Sequence, residues 1–235
     1  MALTVTLANL RTRVLRRADH ENDSFVSTAE ANDLVNQSIR ELFDILVLTA
    51  EDYFTSVTPF TITLNSTDTS YSLPSDFYKL RGVDFQLGSS SQWVPLERFV
   101  WNERNKYTLT PTSWNMLGMT QVKYHLLGTK IQFIPGPPTA TGTVRVWYIA
   151  APASLSSDSD TFDTINGWDE WVTVNAARKI KVKEESDTTA LDQDLARLTK
   201  QIQAAAADRD KGNQARTKDI NDDGQWYNGV WPARF

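Results

Sequence analysis

The spacing of apolar residues changes period twice along this chain, and those two changes limit the folds open to it. Ala31, Leu34, Val35, Ser38, Ile39, Leu42, Phe43 and Leu46 recur three and four apart, which makes one buried face of a helix. Ser27 followed by Glu30 forms a capping box at its start, each side chain positioned to satisfy a backbone donor. From Thr58 the period falls to two, with Phe60, Ile62 and Leu64 alternating with threonine and asparagine. Helical spacing returns with Trp168, Val172, Ala176 and Ile180. The chain is therefore helical at both ends and β-rich between them.

The remaining elements follow from local signals. A first helix is expected from about Leu3 to Ala18, with Leu7, Leu10 and Val14 on one face, ending at the polar turn Asp19-His20-Glu21-Asn22-Asp23. Strands are expected at Tyr78 to Leu87, Gln121 to Leu127, Lys130 to Ile134 and Thr143 to Ala150, and Gly128-Thr129 makes a tight hairpin. Pro135-Gly136-Pro137-Pro138 separates the last two strands, since proline cannot donate to a sheet ladder. A short helix is expected around Leu96 to Asn105. After the serine- and aspartate-rich linker Ala151 to Asp163, a last helix begins at Asp187, with Leu191, Leu195, Leu198, Ile202 and Ala205 along its seam and Gly212 as its cap.

Each helix is read with a single apolar stripe, so none is stable alone. The expectation is an α+β fold: an antiparallel helical bundle from the N- and C-terminal helix pairs (1–55 and 164–212), an inserted antiparallel β domain with its linker (56–163), and an extended C-terminal arm (213–235).

Composition narrows the chemistry. With no cysteine there are no disulfides, thiolate metal sites or cysteine nucleophiles, and the formal charge of −5 is the wrong sign for a duplex-DNA binder. No run resembles a signal core or a membrane span, which leads to the expectation of a chain made in the cytoplasm with no membrane partner. The two histidines, His20 and His125, stand in no metal-ligand spacing and read as ordinary surface residues. Asp219-Ile220-Asn221-Asp222-Asp223-Gly224 opens like a calcium loop, but its twelfth position is Val230 where a bidentate glutamate belongs. Asp158, Asp160 and Asp163 are read as linker acids whose charge favours the start of the next helix. No catalytic, cofactor or metal residue is assigned.

Two groups read as binding residues. Arg11, Arg13, Arg16 and Arg17 form the densest basic patch, suited to an acidic partner or a phosphate, or else to a solvated helix end. The tail beyond Gly212 is short of aliphatic residues yet carries Trp226, Tyr227, Trp231 and Phe235, the aromatic anchors of an arm that inserts into a groove of another subunit. Folding back onto its own bundle is the alternative. Two other classes stay open: a nucleic-acid-binding module using the arginines, and a hydrolase or carbohydrate-binding domain on the β insertion using Trp93, Trp101 and Trp114.

Taken in order, several phrases resemble one family. They are Ala31-Asn32-Asp33-Leu34-Val35-Asn36-Gln37-Ser38-Ile39-Arg40-Glu41-Leu42, Glu51-Asp52-Tyr53-Phe54, Tyr71-Ser72-Leu73-Pro74-Ser75-Asp76-Phe77, Ile165-Asn166-Gly167-Trp168-Asp169-Glu170-Trp171 and Lys183-Glu184-Glu185-Ser186-Asp187. In this order they resemble the head-to-tail adaptor (connector) proteins of tailed bacteriophages. The resemblance implies a structural virion protein and not an enzyme. It implies a homo-oligomeric ring, usually of twelve copies, beneath the portal protein. The C-terminal arm would dock on the portal, a downstream tail (nozzle or tube) protein would lie below, and DNA would pass through without sequence-specific binding. Its place would be the head-tail junction of the virion, and no cofactor is implied.

Overall fold

The computed structural model describes residues 4–21, 24–65, 67–87, 92–106, 122–134 and 142–208. Its helices are α1 (Leu7–Arg17), α2 (Thr28–Thr49), α3 (Trp168–Lys183) and α4 (Thr189–Asp208). Helices at both ends of the described chain share one hydrophobic core, in which Leu10 and Val14 of α1 meet Val35, Ile39 and Leu42 of α2, Val172 and Ile180 of α3, and Leu198 and Ile202 of α4. Lys183 bonds Glu30 and Lys179 bonds Glu41, so α2 and α3 run antiparallel.

The chain begins differently from the reading above. Residues Thr4–Thr6 are a strand, β1, paired antiparallel with β10 (Thr161–Asp163) at the end of the linker, with Val5 opposite Phe162. The β-branched run Thr-Val-Thr favours extended backbone. Thr6 then caps α1, its hydroxyl accepting from the Asn9 N–H. The Ser27 cap of α2 is present, with the Glu30 N–H donating to its hydroxyl at 3.2 Å. Only half of the box has formed, because the Glu30 carboxylate goes to Lys183 Nζ at 2.7 and 2.9 Å.

α3 has no single stripe. Trp171, Val172, Thr173, Val174, Asn175, Ala176 and Ala177 are all buried in succession, because α1, α2 and α4 pack around it. In α4 the buried residues are Leu198, Ile202 and Ala206, one position away from the expected Ala205.

The β insertion holds two sheets. One has the order β2 (Phe60–Thr63), β9 (Gly142–Ala150), β4 (Phe77–Leu87), β5 (Val94–Pro95). The other has the order β3 (Ser70–Ser72), β8 (Lys130–Ile134), β7 (Lys123–Leu127), β6 (Glu97–Arg98). One apolar cluster draws on both, with Ile62, Val83, Phe85 and Val144 from the first and Ile131 and Phe133 from the second. The β7–β8 hairpin turns at Gly128, whose φ of +57° is the left-handed conformation that the tight turn requires.

Two further expectations need correction. β6 and β7 pair in parallel, so the insertion is not wholly antiparallel. The short helix expected around 96–105 is present only in its second half, as the 3-10 helix Trp101–Lys106; before it run the short strands Val94–Pro95 and Glu97–Arg98, between which buried Leu96 carries the chain from one sheet to the other. Pro95 and the β-branched Val94 and Val100 work against a continuous α-helix there.

Candidate functional site

α1 lies with Leu7, Leu10 and Val14 buried, which turns its four arginines outward to meet acids from later in the chain. Arg11 bonds Asp158 at 2.7 Å and Asn32 at 3.2 Å. Arg13 bonds Asp169 at 2.7 Å, and Arg17 bonds Asp194 at 2.5 Å with Glu170 at 3.7 Å. Arg16 pairs with Glu21 at 3.2 Å. The hydrogen bond to Asp158 raises the pKa of Arg11, and the same bond holds the Asp158 carboxyl below its ordinary value. This patch joins α1 to the linker, α3 and α4. Arg13 and Arg16 keep 48% and 65% of their side chains exposed and are the members most open to a further partner.

The linker after β9 is fixed to the helices. The Asn36 carboxamide accepts from the Leu155 N–H at 2.8 Å and donates to its carbonyl at 2.9 Å, as a neighbouring strand would. The backbone N–H groups of Leu7 and Ala8 donate to the carbonyls of Asp160 and Asp158. Asp160 accepts from the Ser156 and Ser157 N–H groups, and the Ser157 bond leads in holding its pKa low. The linker acids thus act within the fold: Asp158 on an arginine and Asp160 on a turn. Asp163 ends β10.

A second junction lies where α2 leads into the insertion. Tyr78 donates to Asp44 at 2.6 Å, which pushes its pKa up to about 12. Arg81 reaches Glu51 and Asp52, and Lys79 adds to Glu51 at 3.1 Å. The Arg81 bond comes first in lowering the Glu51 pKa. Phe43 sits edge-on to both Phe54 and Tyr78, continuing the contact in apolar form.

The histidines are not surface residues of the ordinary kind. His20 is only 7% exposed, stacked on Phe25 with ring centres 5.1 Å apart and its Nε2 3.5 Å from Glu184. It is buried because the turn after α1 folds back, its N–H donating to the Leu15 carbonyl. His125 is half-buried against Phe99 and Trp101, lining an open hollow of about 420 Å³ with Arg98, Val100 and Asn102. Arg104 stands over the Trp101 ring at 5.1 Å, and Arg145 covers Trp93 at 3.6 Å. Trp114, the calcium-like segment 219–224 and the arm residues Trp226, Tyr227, Trp231 and Phe235 lie outside the described residues.

The most telling polar residues were not singled out in the sequence. Asn36 falls on the buried face of α2 beside Val35, and Asn175 is buried in α3, donating to Ser38 and to Glu41. Burial works to raise the Glu41 pKa, but bonds from Lys179 and Asn175 outweigh it and leave the pKa lowered. A buried asparagine within an apolar helix face was the available signal, since such a group needs partners.

Among the described residues, no group of three or more histidines and acids is placed to hold a metal ion, and no helix is long and apolar enough to cross a membrane. What the geometry offers is a set of joints that fix helices, linker and sheets to one another. No curated protein matches the sequence. The SU10 adaptor protein family, a phage head-to-tail adaptor family, matches residues 5–225, nearly the whole chain. With its helical frame, β insertion and fixed joints, the chain therefore belongs to the SU10 adaptor protein family and is a bacteriophage structural protein of the head-to-tail connector class.

Proposed function

We propose that this chain forms a homo-oligomeric ring of twelve copies beneath the portal, joins it to the downstream tail (nozzle or tube) protein, and lets DNA pass. The observation that carries this reading is the family match over residues 5–225, a range that includes both helical pairs and the insertion. Successive copies would meet through two different faces, the heterologous contact that closes under cyclic symmetry. The arm from about Asn213 to Phe235 would dock on the portal through Trp226, Tyr227, Trp231 and Phe235. Arg13 and Arg16, with Arg11 and Arg17 behind them, would meet acidic groups of a partner.

The net charge of −5 supports passage over retention, because a wall that neutralised many phosphates would grip DNA. In this reading the chain is made in the host bacterial cytoplasm, acts in the virion and performs no catalysis. The test is a cryo-electron reconstruction of particles carrying the native chain or one truncated after Gly212. The native chain should appear as a ring under the portal, and the truncated chain should fold yet fail to attach. Normal attachment of the truncated chain would sink the role given to the arm.

A further inference from the structure

Exposed large apolar side chains gather in three places among the described residues. Phe25 and Val182 lie near the start of α2 and the end of α3, and Val94, Val100 and Trp101 lie on the insertion. The third set is the most exposed. Within one stretch from the end of α2, Leu48 is 82% exposed, Tyr53 46% and Val57 94%. Water-exposed leucine and valine so near each other in the chain mark a surface that gains by being covered.

Tyr53 of this stretch also faces the end of α4. A hollow of about 260 Å³ is lined by Thr49, Ala50 and Tyr53 from one side and Ala206 and Ala207 from the other. The chain leaves α4 there, at Asp208, and continues for 27 residues, to Phe235. Its last stretch, Gln225 to Phe235, has three aromatic side chains besides Phe235, one cation in Arg234 and no acid. Asp52 lines this hollow and, although it pairs with Arg81, keeps 82% of its side chain exposed and open to a second cation such as Arg234. A tether from Asp208 spans up to roughly 60 Å, ample for a return, and holds the segment at an effective concentration on the order of millimolar.

We propose that, before assembly, residues Gln225 to Phe235 of the same chain cover the Leu48–Tyr53–Val57 surface, and that the portal draws them away. This rests on the portal-docking role given to the arm above. It assigns the aromatic anchors a resting place, so that an unassembled chain in solution does not offer them, or the patch, to other proteins.

The absence of cysteine makes the test clean. In the full chain, Leu48→Cys and Asn228→Cys are introduced together and treated with a short bis-maleimide, and the products are mapped by mass. Leu48 is exposed enough for the change to leave folding intact. The expected result is a bridge within one chain in most molecules. Bridges between two chains would assign the patch to a neighbouring copy, and adducts at both cysteines without a bridge would leave the arm elsewhere; either overturns the proposal. Adding Val57→Asp should cut the yield several-fold, while Val182→Asp at the other patch should not. An equal effect from the two also overturns it. A bridged arm in free chains combined with an unchanged bridge on attached particles would sink the portal-docking reading and leave the resting site standing.

Discussion

Two non-glycine residues hold left-handed backbone at matching places: Asp19 with φ 59° after α1 and Glu185 with φ 60° after α3. In each turn the next residue's N–H reaches back to the helix, His20 to the Leu15 carbonyl and Ser186 to that of Lys181. This geometry ordinarily takes glycine, because a Cβ there costs roughly 1–2 kcal/mol. Replacing Glu185 by glycine should raise stability by up to about 1 kcal/mol, after glycine's own entropic cost, as read from a urea midpoint. Asp19→Gly should gain less, since aspartate tolerates this region better. The neighbouring Glu184 makes stability pH-dependent. Lys181 leads, followed by Ser186 and His20, in lowering its pKa to about 2. A carboxyl depressed on folding stabilises above its unfolded pKa of 4.5, and that contribution fades as pH falls from there towards 2. A Glu184→Gln chain should lose this part of its acid dependence in a pH-resolved melting series. The sequence marked Asp19 to Asp23 as a polar turn, and α1 does end there, but no glycine marks the left-handed position in either turn.

At the scale of elements, periodic faces were readable and crowded ones were not. α2 and the strands β4, β7, β8 and β9 stand within a few residues of their expected limits, and in β9 the alternation of more and less buried positions is plain. α3 broke the single-stripe reading, since three helices cover it and its Thr173 and Asn175 are buried alongside Val172 and Val174. β1 escaped because three residues carry too little pattern, and its partner lies far away at Thr161–Asp163. The parallel β6–β7 pair was equally invisible, being only two residues long. In the sheets, Gly142 is held by proximity: a Cβ built there would lie 2.6 Å from the Phe85 ring and 2.9 Å from the Gln86 carbonyl. Gly142→Ala should therefore destabilise the insertion by about 1–3 kcal/mol, with faster amide exchange along β4 and β9. Loss of less than the error of a denaturation curve would show that the Phe85 ring moves aside freely.

Across the whole molecule, the relation of sheets to helices depends on a few polar joints that no period announces. The Asn36 pairing with Leu155 is the most specific of them. Asn36→Ala would strand both backbone groups of Leu155 and should cost about 2 kcal/mol, with exchange of the Leu155 amide accelerated before any other change in the helices. Asn36→Asp should be no remedy, because a carboxylate accepts from the N–H but repels the carbonyl. The candidate binding residues were legible as residue types, but the partners of the arginines were not, since Asp158, Asp169 and Asp194 lie far along the chain. One geometric feature also bears on how such a protein changes over generations. The insertion's first and last strands enter and leave side by side, with Thr55 bridged to Ile149 and the Ser56 N–H donating to the Tyr148 carbonyl at 2.9 Å. To the helices, everything between is a loop already closed at its neck, and lengthening a closed loop adds little entropy cost. The β insertion can therefore be exchanged, shortened or enlarged between viruses as a cassette while the helical scaffold keeps its shape.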